Sequence, residues 1–296
     1  MTNITKILRS SPLNALEAQI LLAHVLNWPR TMLITRADNP LPDALLARFL
    51  ALQSRRIEGE PIAQLVGSRE FFGLNFDITP YVLIPRPETE LLVEWTLNAV
   101  QAIPLPHILD LGTGSGAIAI AIAHSRPDTR IIATDRCAIA LAVACRNVRR
   151  LLGEAALSLV SHHHLMMVNS LAQAYFMICH GNWFDALSAL HHAPLMHFDA
   201  IVSNPPYIAA SDPHLREGDL RFEPLDALTD HADGLSAIRS IIVGSVAWLA
   251  PGGTLCLEHG FNQAESVRSL FEKHGFNSIC CMRDLAGIER VTCGSR

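Results

Sequence analysis

Across residues 13–26 apolar side chains return every three or four positions, the period of one helix face. Asn14 stands just ahead of that run and is suited to cap its free N–H groups. A second helix is predicted to start near Pro42, a residue suited to a first helical position, and to run through Leu45, Phe49 and Leu50 to Arg55-Arg56. Residues 4 to about 60 therefore read as a small helical bundle. The period then changes. Residues 62–67 and 71–78 read as two strands with turn residues between and after them, a hairpin linker. Prolines bracket Arg86, and Pro87 with Glu88 and Glu90 suits the first turn of a helix through Leu91, Val93 and Leu97. From residue 107 strands and helices alternate. Strands are expected at 107–111, 130–135, near 176–179, at 200–202 and at 254–260, with helices at 118–123, 138–147, 237–249 and 264–271. A hairpin of 278–282 with 290–292 closes the chain. This alternation predicts an α/β fold with a doubly wound, mainly parallel sheet. The expected domains are a helical one over 1–62, a linker over 63–86 and the sheet domain over 87–296.

The chemistry concentrates where strands end. The strand at 107–111 contains Asp110 and runs into Gly112-Thr113-Gly114-Ser115-Gly116-Ala117 and then a helix. Glycines let a backbone approach a ligand closely and turn sharply into a helix N-terminus. The next strand ends in Asp135, where an acid commonly holds ribose hydroxyls. The strand at 200–202 ends in Asn204-Pro205-Pro206-Tyr207. Two prolines remove two backbone donors and fix φ twice, so the strand stops in a stiff loop that presents an amide, free carbonyls and an aromatic ring. The glycine run also fits a dinucleotide fingerprint, which keeps a nicotinamide-dependent dehydrogenase as a rival at this point.

Composition narrows the choice. Half of the 296 residues are hydrophobic and 17% are charged, so a sizeable core is expected. The net charge of −5 argues against a chain built mainly to grip a phosphate backbone. The seven cysteines show no CxxC and read as reduced, mostly buried thiols. Residues 1–11 show no apolar signal segment, and the longest uncharged run, 155–184, is too polar to span a membrane, so a cytoplasmic protein without a membrane partner is expected. Three adjacent histidines, 162–164, cannot all face one ion from a regular element, so a polar loop and no metal site are expected there.

Larger motifs sharpen this reading. Asp110-Leu111-Gly112-Thr113-Gly114-Ser115-Gly116 resembles the first motif of class I S-adenosylmethionine-dependent methyltransferases. Asn204 to Tyr207 resembles the motif of methyltransferases that act on planar nitrogens. Together with residues 84–90, 201–208, 221–225 and 257–260, these runs resemble the HemK/PrmC family, the release factor glutamine methyltransferases, over nearly the whole chain. The resemblance implies a Rossmann-like class I methyltransferase domain, a helical substrate-docking domain and a β-hairpin linker. It implies methyl transfer from S-adenosylmethionine to the side-chain amide N5 of the Gly-Gly-Gln glutamine in class 1 peptide chain release factors. It places the cofactor on Gly112, Thr113, Gly114, Ser115, Gly116, Asp135, Trp183 and Asn204, with Asp110 beside them, and the target glutamine on Asn204, Pro205, Pro206 and Tyr207. Asn204, Pro205 and Tyr207 are the catalytic candidates. The Asn204 oxygen and Pro205 carbonyl would accept the two amide N–H groups, with the Tyr207 ring flat against the amide. Arg86 and Glu258 read as a structural ion pair. Two departures stand out. Asn182 replaces the family's usual acid before the aromatic, and the stretch from Asn147 to Trp183 is longer than expected, which suggests a surface excursion. The rivals are an adenine-N6 nucleic-acid methyltransferase and a cofactor-binding translation factor without turnover; no direct nucleic-acid substrate is expected.

Overall fold

The computed structural model describes residues 3–153, 160–161, 164–169, 174–190 and 197–296. The chain forms two compact units.

The first unit comprises Met1–Ser68 and Arg216–Phe222. It contains helices α1 (Ile4–Ser10), α2 (Ala15–Leu26), α3 (Thr31–Thr35), α4 (Asp43–Ile57) and α5 (Ile62–Val66). Asn14 caps α2 as its position predicts, accepting the Glu17 N–H at 2.9 Å. Leu21, Leu22, Leu33, Phe49 and Leu65 form the shared core. Residues 62–66 are helical, not the strand expected from their apolar run. Five consecutive residues carry no usable period, and packing of Leu65 into this core decides the matter. Gly67 ends the helix in the left-handed region (φ +74°). Arg56 gathers the unit's polar contacts: it pairs with Glu17 and Asp219, each at 2.8 Å, and donates to the Glu60 carbonyl. Gln64 donates to the Phe222 carbonyl at 3.0 Å, so the short 216–222 segment is held by side chains of α4 and α5.

The second unit opens with strands β1 (Ser68–Phe71) and β2 (Leu74–Asp77), paired in a two-stranded sheet. Phe72 and Gly73 both take positive φ, the geometry of a two-residue hairpin turn. Phe71 and Phe76 are fully buried edge-to-face. Then follow α6 (Glu90–Ala99), β3 (His107–Leu111), α7 (Ala117–Ser125), β4 (Arg130–Asp135) and α8 (Ala138–Leu152). After these come β5 (Val160–Ser161), β6 (His164–Asn169), β7 (Ala174–His180), β8 (Phe198–Ser203), α9 (Leu225–Leu228) and α10 (Ser236–Ser245). The chain ends with β9 (Leu249–Glu258), α11 (Ala264–Lys273), β10 (Asn277–Arg283) and β11 (Glu289–Ser295).

Among the described residues nine strands form one sheet in the order β10-β11-β9-β8-β3-β4-β7-β6-β5. The five central strands, β9 through β7 in that order, are parallel. β11 and β10 add antiparallel at one side, as the sequence predicts for the closing hairpin. β6 and β5 add antiparallel at the other. Of the long stretch after Asn147, the described residues between α8 and β7 add this antiparallel pair at the sheet's edge. His162 and His163 lie outside the described residues, and His164 opens β6. Ile108, Leu109, Ile131, Ile132, Ile201 and Leu255 are fully buried, the continuous apolar signature of strands covered on both faces. All seven cysteines are free. Only Cys179, Cys256 and Cys293 are buried and Cys280 is exposed, fewer buried than the sequence suggests. Among the described residues no helix is long and apolar enough to cross a membrane.

Candidate active site

Strand order creates the site. The chain leaves β3 for β4 and β7 on one side, then returns to place β8 on the other side of β3. Open α/β sheets bind ligands in the crevice beyond the carboxyl ends of strands at such a reversal. Gly112 follows β3, Asp135 ends β4 and Asn204 follows β8, so three separated stretches converge there. A cavity of about 700 Å³ lies among them, lined by Gly112, Gly114, Asp135, Asn182, Trp183, Asn204 and Pro206, and also by Tyr81, Arg136, Leu225, Asp226 and His231.

The glycine loop takes positive φ at Gly112, Gly114 and Gly116. The three glycines meet different surroundings. A Cβ on Gly114 would meet nothing within 4 Å, whereas one on Gly112 would lie 3.4 Å from Cζ3 of Trp183. A Cβ on Gly116 would strike Ile120 at 2.8 Å and Ala144 at 3.3 Å. Gly116 therefore serves close packing of α7 on α8, while Gly112 and Gly114 face the cavity. Asp110, Thr113, Ser115 and Gly116 are absent from the lining. Asp110 is fully buried and accepts from the Thr113 hydroxyl at 2.6 Å, bracing the loop from behind. Burial pushes its pKa up to about 7, and its Oδ1 meets no donor among the described residues. Asp135 accepts the Gly114 and Cys137 N–H groups at 2.9 and 2.8 Å, and burial pushes its pKa up as well. Asn147, buried on α8, donates to the Ser115 carbonyl at 2.9 Å and accepts the Asp77 N–H at 2.7 Å. One amide thus joins the glycine loop to the end of the hairpin.

At β8, Asn204 Nδ2 donates to Thr89 Oγ1 at 3.1 Å. Among the described residues no donor meets Asn204 Oδ1 or the Pro205 carbonyl. Tyr207 does not line the cavity; its hydroxyl donates to Glu258 Oε1 at 3.1 Å. Burial, then the adjacent Glu258, pushes the phenol pKa up, so the ring stays neutral. Gln263 donates to the Tyr207 carbonyl at 2.9 Å and fixes the loop's far end. Glu258 is fully buried, and burial pushes its pKa up to about 7. It is not the partner of Arg86. The Arg86 guanidinium pairs instead with buried Glu223, whose other oxygen accepts the Ile84 N–H at 2.9 Å. Both partners sit in recognisable sequence runs, but nothing local says which of two buried acids an arginine reaches. Sequence reasoning also missed Thr89, Arg136, Asp226 and His231. Asp226 takes a bond from Arg136 at 3.0 Å and lies 2.6 Å from His231, all three on the cavity wall. Thr89 stands two residues after Pro87, yet a threonine at a helix start carries no signal beyond capping.

A doubly wound sheet in this strand order, with a glycine loop after one central strand and Asn-Pro-Pro-Tyr after its neighbour, defines a class I methyltransferase. A solved methyltransferase from Pyrococcus furiosus shares the fold, with a TM-score of 0.51 at 17% identity over 82% of this chain and 96% of that one. Residues 1–67 match the PrmC N-terminal domain and residues 88–217 the methyltransferase small domain. A release factor glutamine methyltransferase of Burkholderia pseudomallei is 56% identical over 98% of this chain and 94% of its own. One from Bordetella pertussis is 45% identical over 99% of both. The chain belongs to the release factor glutamine methyltransferase family.

Proposed function

We propose that this protein transfers a methyl group from S-adenosylmethionine to the side-chain amide nitrogen of the Gly-Gly-Gln glutamine in class 1 peptide chain release factors. The observation that carries the reading is the pair of unmet acceptors, Asn204 Oδ1 and the Pro205 carbonyl, on a stiff loop beside the glycine-lined cavity. Two acceptors suit a group with two coplanar N–H donors, which is a primary amide or an exocyclic amine.

The residues present fit the cofactor. Gly112 and Gly114 leave room at the wall where side chains would intrude, Asp135 is positioned for hydroxyls, and the Trp183 ring lies against Gly112. When bound, S-adenosylmethionine supplies an electrophilic methyl group on a sulfonium centre. The chain's own work is orientation. A carboxamide nitrogen is a poor nucleophile because its lone pair is delocalised into the carbonyl. Bonds from its N–H groups to Asn204 Oδ1 and the Pro205 carbonyl hold it in one plane and strengthen as positive charge grows on nitrogen. Positioning of this kind supplies much of a rate enhancement. The nitrogen, cationic once methylated, loses its now acidic proton to water; neutral Tyr207 takes no proton and stiffens the loop through Glu258. We assign Gly112, Gly114, Asp135, Trp183 and Asn204 to the cofactor, braced by Asp110, Thr113, Ser115 and Gly116. Asn204 to Tyr207 we assign to the target amide, Asn204 and Pro205 through their acceptors and Pro206 and Tyr207 by holding that loop stiff. The domain division at about residues 62 and 86, with the helical domain docking the substrate, and a cytoplasmic site of action belong to the same proposal.

The test is a methyl-transfer assay with three acceptors: a release factor, the same factor with the Gly-Gly-Gln glutamine substituted, and a DNA oligonucleotide. One methyl on the glutamine of the first alone is expected. Label on the oligonucleotide would overturn the reading in favour of an adenine-N6 enzyme, and cofactor binding without transfer would favour a non-catalytic factor.

A further inference from the structure

A single buried carboxylate reaches both ends of the Asn204–Tyr207 loop. Glu258, at the end of β9, accepts from Thr89 Oγ1 through Oε2 at 2.7 Å and from the Tyr207 hydroxyl through Oε1 at 3.1 Å. Thr89 in turn accepts from Asn204 Nδ2 at 3.1 Å. Thr89 and Glu258 are buried, and Glu258 does not line the cavity. When Glu258 is ionised it can only accept, so the one Thr89 hydroxyl hydrogen then goes to it. The Thr89 oxygen is then left with lone pairs alone, and only the NH₂ side of Asn204 can meet it. The Asn204 oxygen is thereby turned to the cavity. An amide flipped the other way would oppose N–H groups to an incoming N–H donor.

We propose that Thr89 and Glu258 are positioning residues for methyl transfer: a one-way hydrogen-bond relay, Asn204 to Thr89 to Glu258, that presents the Asn204 oxygen to the target amide. This rests on the proposed function for the role of that oxygen. The relay itself is a statement about bonds within the chain.

Thr89→Val removes the hydroxyl at nearly constant shape. The expected result is a kcat on the release factor lower by roughly tenfold to a hundredfold, with KM and cofactor affinity by calorimetry within about twofold of wild type. Thr89→Ser restores most of the rate. Because Thr89 acts through Asn204, the Thr89→Val, Asn204→Ala double variant is no slower than Asn204→Ala alone. A folded Thr89→Val protein with wild-type kcat, or losses that simply add in the double variant, overturns the proposal. A readout free of turnover comes from nitrogen-15 spectra of the wild-type Asn204 side chain. The relay requires an amide whose hydrogens exchange slowly and whose signal moves in Thr89→Ser. Exchange as fast as a surface asparagine overturns it, whether or not Thr89→Val folds. A wild-type enzyme that leaves the release factor unmethylated would sink the functional reading instead, and the side-chain amide signal would still decide the relay.

Discussion

Asn204 offers an oxygen to the cavity and an NH₂ to Thr89, and substitutions separate the two contacts. Asn204→Ala removes both and is expected to lower kcat by about 10²- to 10³-fold, the cost typical of a lost transition-state contact. Asn204→Asp keeps an oxygen for the target amide but turns a second one on Thr89, whose hydrogen is committed to Glu258. Its turnover at saturating cofactor should fall between Ala and wild type; an aspartate variant as fast as wild type would show that the Thr89 contact does not matter to rate. Glu258 makes a pH prediction. Its folded pKa of about 7 lies above the ordinary 4.5, burial being the main cause, with the hydrogen bonds from Thr89 and Tyr207 opposing it. Between those values the native state holds a proton that the unfolded chain has lost, so ionising Glu258 lowers stability as pH rises from about 4.5 to 7. Asp110 acts in the same sense from 3.8 upward. Glu258→Gln escapes its share. Relative to wild type it should gain stability as pH rises from 5 to 8, by at most about 3 kcal/mol, in urea melts across that range. A wild-type-minus-variant difference that does not change with pH would refute this. Gly112, Asp135 and Asn204 were legible because local chemistry marks them: a glycine in a tight turn, an acid at a strand tip, an amide before two prolines. Thr89 and Glu258 were not read together, because they are 169 residues apart in the chain and only folding makes them partners.

Elements turn on how well a short run announces its period. The core strands did so, since continuous valine, isoleucine and leucine runs between glycines and prolines fit few other structures. Residues 62–66 did not, and a packed helical core took them. β5 and β6 carry no such announcement, because β6 only extends antiparallel an edge already complete in the alternating pattern. The glycine loop divides at this scale into a ligand-facing part and a packing part. Gly114→Ala meets open space and costs only the left-handed φ, about 1–2 kcal/mol, but puts a methyl at the cavity wall. Gly116→Ala crowds Cδ1 of fully buried Ile120, which must shift within the packed core, and the fixed Cβ of Ala144, about 1–3 kcal/mol more. Thermal melts should therefore rank Gly116→Ala well below Gly114→Ala, while calorimetry shows the larger loss of cofactor affinity per unit of lost stability for Gly114→Ala. The reverse ranking would reassign both glycines.

Across the whole molecule, the chain returns to its helical unit for seven residues, 216–222, between stretches of the sheet unit. Arg56, Gln64 and the Glu58 carbonyl hold that segment through Asp219, Phe222 and Arg221. Arg56→Ala is expected to leave the sheet unit intact and speed proteolytic cleavage within 216–222; cleavage at the wild-type rate would show that the contacts there are idle. No pattern in the polar run 211–230 foretold which unit would claim part of it, because the choice depends on partners about 160 residues away. By itself the sequence determined the helical start, the alternating strands and helices, and the loops that end β3, β4 and β8, because these follow from periodicity, glycine and proline acting over a few residues. Only the tertiary structure decided that β8 returns beside β3, that Arg86 pairs with Glu223, and that Thr89 and Glu258 stand behind Asn204. Those outcomes depend on distant side chains competing for the same buried partners, and no local pattern contains that competition. The Asn-Pro-Pro-Tyr loop is therefore legible in the chain, while its support by Thr89 and Glu258 exists only in the fold.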